Sequence, residues 1–378
     1  MRTEVNINPG MYTWAIARAG YDIGDFAAKF PKIQDWLEDK KKPTVKQLEA
    51  FSKKVYLPFG YLFLPEPPQE SLPIPYFRTN GNRAESVSIN VFDTISLMQR
   101  RQDWLRDYLR ENDFSSIPFV GRFNETSDYL QIVEDIRKTL NLQHEWASAF
   151  KTWQETLEHL TLKIEEVGIN VVFNGVVENN TSRPIKVDEC RGFVLADEYA
   201  PFMFINNSDG KAAQMFTIVH ELAHIWTGQS AGFDFRQLQP ANDPLELLCD
   251  KVAAEFLVPA NSLSTFWRLK PNINASARHF KVSEIVIARR ALDLGFISKK
   301  DFYSFYEDYS NREIQKKEHQ GDGGNFYATA RKRLGLNFAA HVNQAVKSGS
   351  LLYRDAYRLT SLKGDTFQTF FNKHFYQA

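Results

Sequence analysis

The chain has 378 residues, long enough for a sizeable core and more than one domain, and its 46 Lys and Arg balance its 46 Asp and Glu. A neutral balance gives no bulk attraction to nucleic acid or to a membrane surface, and two cysteines, Cys190 and Cys249, are too few for a disulfide framework. The start, Met1-Arg2-Thr3-Glu4-Val5-Asn6, is polar, and no apolar run approaches the roughly 20 residues of a membrane span, so the expectation is a cytoplasmic protein with no membrane partner.

Residues 1–64 read as a bundle of short helices. Helical patterns run from Met11 to Ala19, Ile23 to Phe30, Lys32 to Asp39 and Val45 to Val55, with Asp22 or Asp25 as a cap for the second. Ala17-Arg18, Phe26-Ala27, Trp36-Leu37, Pro43-Thr44, Leu48 and Pro58 to Phe63 resemble the helix-turn-helix domain of Xre-type repressors. The resemblance makes Lys32 to Asp39 the recognition helix. Asp35, Glu38 and Asp39 on it would meet DNA phosphates with like charge, which favours a helical docking module over a DNA reader.

Pro65 to Pro75 is an extended, Pro-rich stretch, so residues 65–85 read as a linker. Residues 86–262 come next, first as helices. Val87 to Arg110 has a long apolar stripe, and Arg100, Arg101, Arg106 and Arg110 among Asp103, Asp107 and Glu111 read as a solvated charged face. Glu125 to Leu140 and Glu145 to Val167 are two more amphipathic helices. Ile169 to Phe173, Cys190 to Ala196 and Pro201 to Asn206 are predicted strands of one small sheet. An edge of such a sheet can hold an extended peptide by main-chain hydrogen bonds.

The next helix carries His220-Glu221-Leu222-Ala223-His224 within an apolar setting of Phe216, Ile218, Val219, Ile225 and Trp226. Residues four apart share a helix face, so His220 and His224 can offer nitrogens to one zinc ion, and Glu221 stands beside it as a base. Catalytic zinc takes three protein ligands and leaves one position open. The polar stretch from Gly228 to Asn242 leads to a second helix with Asp243 as cap and Pro244 at its first position. Glu246 and Asp250 lie four apart on it and share a face, whereas Glu255 points nearly opposite. Glu246 is the chosen ligand and Asp250 the group that orients a ligating imidazole. The predicted fold class is therefore α+β: mostly helical, with a small three-stranded sheet beside a gluzincin-like, two-helix metal site.

Phe216 to His224, Glu246 to Asp250 and Ala253 to Pro259 together resemble the ImmA/IrrE family of zinc metallopeptidases. That resemblance implies a Zn2+-dependent endopeptidase acting on a protein substrate, typically an Xre-type helix-turn-helix repressor, in phage, stress or anti-phage control. It also implies DNA or single-stranded DNA as a trigger in some members. Many relatives have Asn where Asp250 stands. The competing readings are a DNA-binding regulator with a structural metal, and the effector of a toxin–antitoxin or defence pair. Tyr199 and Tyr327 are candidates for stabilising the substrate oxyanion.

Residues 263–378 read as a helical C-terminal region. Val282 to Val286 and Arg289 to Leu292 look like a further small helix-turn-helix segment, capped by Ser283. Glu318 to Asn325 reads as a Gly-rich loop carrying His319, and Arg331-Lys332-Arg333 is the strongest basic cluster, suited to DNA or an acidic partner. Three short helices are expected around Arg331 to Leu334, Phe338 to Val346 and Tyr353 to Leu359.

Overall fold

The computed structural model describes residues 4–70, 76–77, 87–233, 243–317 and 326–375. Parts of the predicted linker, most of the Gly228–Asn242 stretch beyond Phe233, and His319 with its loop lie outside the described residues. The chain clusters into two compact units, one of residues 1–73 and 82–93, the other of residues 74–81 and 94–378.

The first unit holds α1 (Pro9–Arg18), α2 (Ile23–Lys29), α3 (Lys32–Leu37) and α4 (Val45–Lys54), then a 3-10 turn over Phe59–Phe63. Asp22 caps α2 by accepting from Gly24 and Asp25 N–H, and Thr44 with Gln47 forms a capping box at α4. Tyr12, Phe26, Trp36, Leu48 and Phe51 fill the core, with Tyr12 and Phe51 edge to face at 5.5 Å. Only six residues of the expected recognition helix are helical, and two of them, Ile33 and Trp36, are buried in that core. Asp35 pairs with Lys41 at 2.8 Å, and Glu38 pairs with Lys40.

The division between the units falls inside α5 (Ile89–Glu111). The second unit also contains a short strand β1 (Tyr76–Phe77), then α6 (Tyr129–Leu140) and α7 (Trp153–Glu166). Glu145 to Val167 is not one helix. A 3-10 turn over Trp146–Ala149 ends before Thr152, whose side chain forms a capping box with Glu155 and restarts the chain as α7. The strands follow: β2 (Asn170–Asn174), a hairpin of β3 (Val176–Val177) and β4 (Asn180–Pro184), β5 (Gly192–Leu195) and β6 (Phe202–Asn206). After them come α8 (Lys211–Thr227), β7 (Ala231–Phe233) and α9 (Pro244–Leu257).

The fold is α+β and mostly helical. The three expected strands, β5, β6 and β2, form a mixed sheet in which β2 runs parallel to β6 and β5 antiparallel to it. Two strands not foreseen, β7 and β1, extend that sheet to the order β1-β7-β5-β6-β2. All residues of β2, β5 and β6 are buried, which is why their sequences read as continuous apolar runs. The core joins one face of this sheet to α8, α9, α6 and α7 through Ile136, Leu160, Val171, Met203, Ile218, Leu222, Val252 and Phe256.

The remaining helices are α10 (Ala260–Leu269), α11 (Ile273–Phe280), α12 (Glu284–Asp293), α13 (Lys299–Lys317), α14 (Phe326–Leu334), α15 (Leu336–Lys347), α16 (Tyr353–Thr360) and α17 (Gly364–Phe375), the last not foreseen. Ser283 occupies the cap position of α12, but its side chain makes no capping hydrogen bond. The reading of Arg101 as part of a solvated face is overturned. Its side chain is buried, donates to Leu359 O at 2.8 Å and Arg333 O at 3.0 Å, and lies over the Phe338 ring. The C-terminal helices cover that side of α5, and burial pushes the guanidinium down to about 10. Arg333 of the basic cluster donates to Asn179, and Lys332 lies 3.9 Å from Glu158. No helix among the described residues is long and apolar enough to cross a membrane.

Candidate metal centre

Two helices build the centre. Gly210 stands at the start of α8, and the Gln214 side chain donates to Asn207 O and Asp209 O there. At the other end Gly228 takes a left-handed φ of 69°, a conformation suited to glycine, and returns its N–H to His224 O and Ile225 O. A Cβ on Gly228 would meet Gly121 Cα at 2.9 Å, so close approach adds a second reason for glycine. Phe119 stacks on Trp226 at 4.2 Å, and Trp226 donates to Asp135 at 2.7 Å. The α8 residues from Thr217 to Thr227 are all buried.

Asp243 caps α9 by accepting from Leu245 and Glu246 N–H, and Pro244 occupies its first turn. That cap fixes where Glu246 leaves the helix. At the far end Arg137 donates to Glu255 O and Phe256 O, and Glu255 pairs with Arg290 and accepts from Ala260 N–H. Glu255 is thus committed away from the centre, as the helical spacing requires.

His220, His224 and Glu246 converge. The two Nε2 atoms lie 3.2 Å apart, Glu246 Oε2 lies 3.2 Å from His220 Nε2, and Glu246 Oε1 lies 3.3 Å from His224 Nε2. Donors held about 2.0–2.1 Å from one ion in a tetrahedral shell stand about 3.3–3.4 Å apart, so these spacings fit a zinc-sized ion. Both Glu246 oxygens are buried and lack an aligned hydrogen-bond donor, as do both oxygens of Glu221. A buried carboxyl without donors either keeps a proton or needs positive charge nearby. His220 Nδ1 faces Asp250 Oδ1 at 3.1 Å, with the Asp250 side chain 29% exposed.

The charges follow from these contacts. Burial works against a proton on His220, but the Asp250 and Glu246 carboxylates outweigh it and push His220 up to about 10. Burial keeps His224 neutral. Burial would also favour neutral Glu246, yet the two imidazoles hold it well below the ordinary carboxylate range. A proton shared on His220 and a bound cation answer the same need, positive charge beside Glu246. Glu221 is pushed up to about 8, chiefly by burial and also by Glu246, against the pull of His220.

Two further residues belong to the centre. Cys249 Sγ and a ring nitrogen from each of His220 and His224 lie within 4.8 Å of one another, a candidate metal-binding cluster. Its place three residues after Glu246, on the same helix face, was the available signal. Burial, followed by the surrounding carboxylates, raises this thiol well above its ordinary range. Gly192 of β5 is the other. A Cβ there would lie 2.5 Å from Thr217 Cγ2, 3.0 Å from Phe204 O and 3.4 Å from Glu221 Oε1. Strand β5 therefore runs directly against α8 beside Glu221. It is not an open edge, since β6 and β7 flank it. The Tyr199 ring lies under Arg110 at 4.8 Å and the Tyr327 ring under Lys373 at 5.5 Å.

Residues 164–292 match the IrrE N-terminal-like domain of the M78 peptidases. The match spans every strand of the sheet except β1, together with α8 to α11 and all of α12 but its last residue. It supports a metallopeptidase of the ImmA/IrrE type, and the convergent donors lie inside the matched region. Residues 334–373, covering most of α15 to α17, match a domain of unknown function, DUF8813. No curated protein and no solved structure gives a significant match to this chain.

Proposed function

We propose that the chain is a zinc-dependent endopeptidase that cleaves a regulatory protein, with a helix-turn-helix repressor as its substrate class. The observation that carries this is the convergence of His220 Nε2, His224 Nε2 and the Glu246 carboxylate at 3.2–3.3 Å, beside a buried Glu221 with no hydrogen-bond donor. His220, His224 and Glu246 would hold the ion. Zinc, when bound, supplies Lewis acidity toward a scissile carbonyl and toward water.

The chain's own residues do the rest. Asp250 accepts the Nδ1–H of His220, which turns the Nε2 lone pair toward His224 and Glu246. Glu221 takes a proton from the attacking water and delivers it to the departing amine nitrogen. Without a metal, burial pushes Glu221 up to about 8, which leaves it mostly protonated at neutral pH. Added positive charge at the cluster would draw that value down. The buried, unpartnered Glu221 favours this reading over a DNA-binding regulator with a structural metal, because a structural site needs no base. In the N-terminal unit, the Asp35–Lys41 and Glu38–Lys40 pairs support a docking role, with DNA or single-stranded DNA as the alternative partner.

The test is incubation of the zinc-loaded full chain with Xre-type repressors. Cleavage by the wild type, and none by Glu221→Gln protein that retains its zinc, is the expected result. Equal cleavage by Glu221→Gln would remove Glu221 as the base.

A further inference from the structure

The centre holds more donors than an open catalytic site requires. Cys249 is fully buried, and its Sγ shares a 4.8 Å sphere with nitrogens of His220 and His224. On α9 it follows Glu246 by three residues and precedes Asp250, so all three side chains leave the same helix face toward α8. Glu246 and Asp250 each contact His220 from that face. Zinc–sulfur and zinc–nitrogen bonds of about 2.3 and 2.1 Å put sulfur and nitrogen about 3.6 Å apart in a tetrahedral shell. The thiol, within 4.8 Å of both nitrogens, lies at most about 1.2 Å beyond that spacing. Two imidazoles, a carboxylate and a thiolate form a complete tetrahedral zinc shell, and the thiolate is the soft donor that favours zinc or cobalt over magnesium or manganese.

We infer that Cys249 is a switchable fourth donor that closes the metal centre at rest. The inference rests on the proposed reading of His220, His224 and Glu246 as metal ligands. When the thiol binds, its proton goes to solvent, no electron is transferred, and the position needed by water or a substrate carbonyl is filled. When the thiol swings away and regains its proton, that position opens. The chain thus has a resting form protected from indiscriminate proteolysis and a working form reached by displacing one side chain.

Cobalt(II) provides the readout, because thiolate-to-cobalt charge transfer absorbs in the near ultraviolet, whereas nitrogen and oxygen donors leave only the visible ligand-field bands. The full chain is loaded with cobalt as wild type, Cys249→Ala and Cys249→Ser. The expected result is a charge-transfer band in the wild type that both variants lack, with ligand-field bands present in all three. Zinc competition should show at least tenfold weaker binding by the variants, and their basal proteolysis should rise. The ligand-field bands report that each variant still folds around the ion. Identical near-ultraviolet spectra in all three proteins, with cobalt bound, would overturn the role of Cys249 and leave the three-ligand reading standing. No cobalt bound by any of them would overturn both.

Discussion

Replacing Asp250 with alanine isolates the contact that orients His220. Asp250 Oδ1 faces His220 Nδ1 at 3.1 Å, and the imidazole itself is fully buried. Carboxylates that orient metal-ligating imidazoles are worth about 10- to 100-fold in metal affinity. Here the Asp250 side chain is 29% exposed, so water competes for it and partly replaces it when it is removed. The low end follows: Asp250→Ala is expected to weaken zinc binding about tenfold, close to 1.4 kcal/mol. Asp250→Asn keeps an acceptor oxygen at the same place and should lose less. Competition against a chromophoric chelator at fixed pH gives both numbers. An Asp250→Ala protein within twofold of the wild type would refute the orienting role.

Three further outcomes follow from the packing. Gly192→Ala pushes a methyl into Thr217 Cγ2 and Phe204 O, so a loss of about 1–3 kcal/mol in thermal stability is expected, with reduced cleavage as α8 shifts; unchanged melting would contradict the close approach. Burial raises Glu165 from 4.5 to about 7, so the folded state prefers its neutral form, and stability falls as pH rises through that window. Glu165→Gln should therefore stabilise the protein at pH above about 8 by about 2–3 kcal/mol and have little effect near pH 4, measured by denaturant melts at both pH values. Arg101→Met leaves Leu359 O and Arg333 O without their donor, at a cost of about 2–4 kcal/mol, and hydrogen exchange should rise across α14 and α16.

Much of the centre was legible because its chemistry is local. His220 and His224 are four apart on a helix that Gly210 and Gly228 delimit, and Glu246 follows an Asp-Pro helix start. The strands β2, β5 and β6 were legible for a similar reason: each is a short apolar run between turn residues. What escaped depends on distant partners. The strands β7 and β1 have three and two residues, too few for any periodicity, and they exist through pairing with β5 and with each other. Arg101 reads like its charged neighbours, and only the covering helices, through Leu359 and Arg333, make it a buried staple. Gly192 reads as an ordinary strand residue until Thr217 and Glu221 are placed against it. Cys249 was visible as a cysteine, but its membership of the cluster depends on the packing of α9 against α8.

The proposed function requires His220, His224 and Glu246 to hold one metal ion. Metal content of the purified wild type beside Glu246→Ala tests it most directly, by elemental analysis after exhaustive dialysis. About one zinc per wild-type chain, lost in Glu246→Ala, is the expected result. A wild type without metal, or a Glu246→Ala protein that keeps its full complement, would contradict the claim.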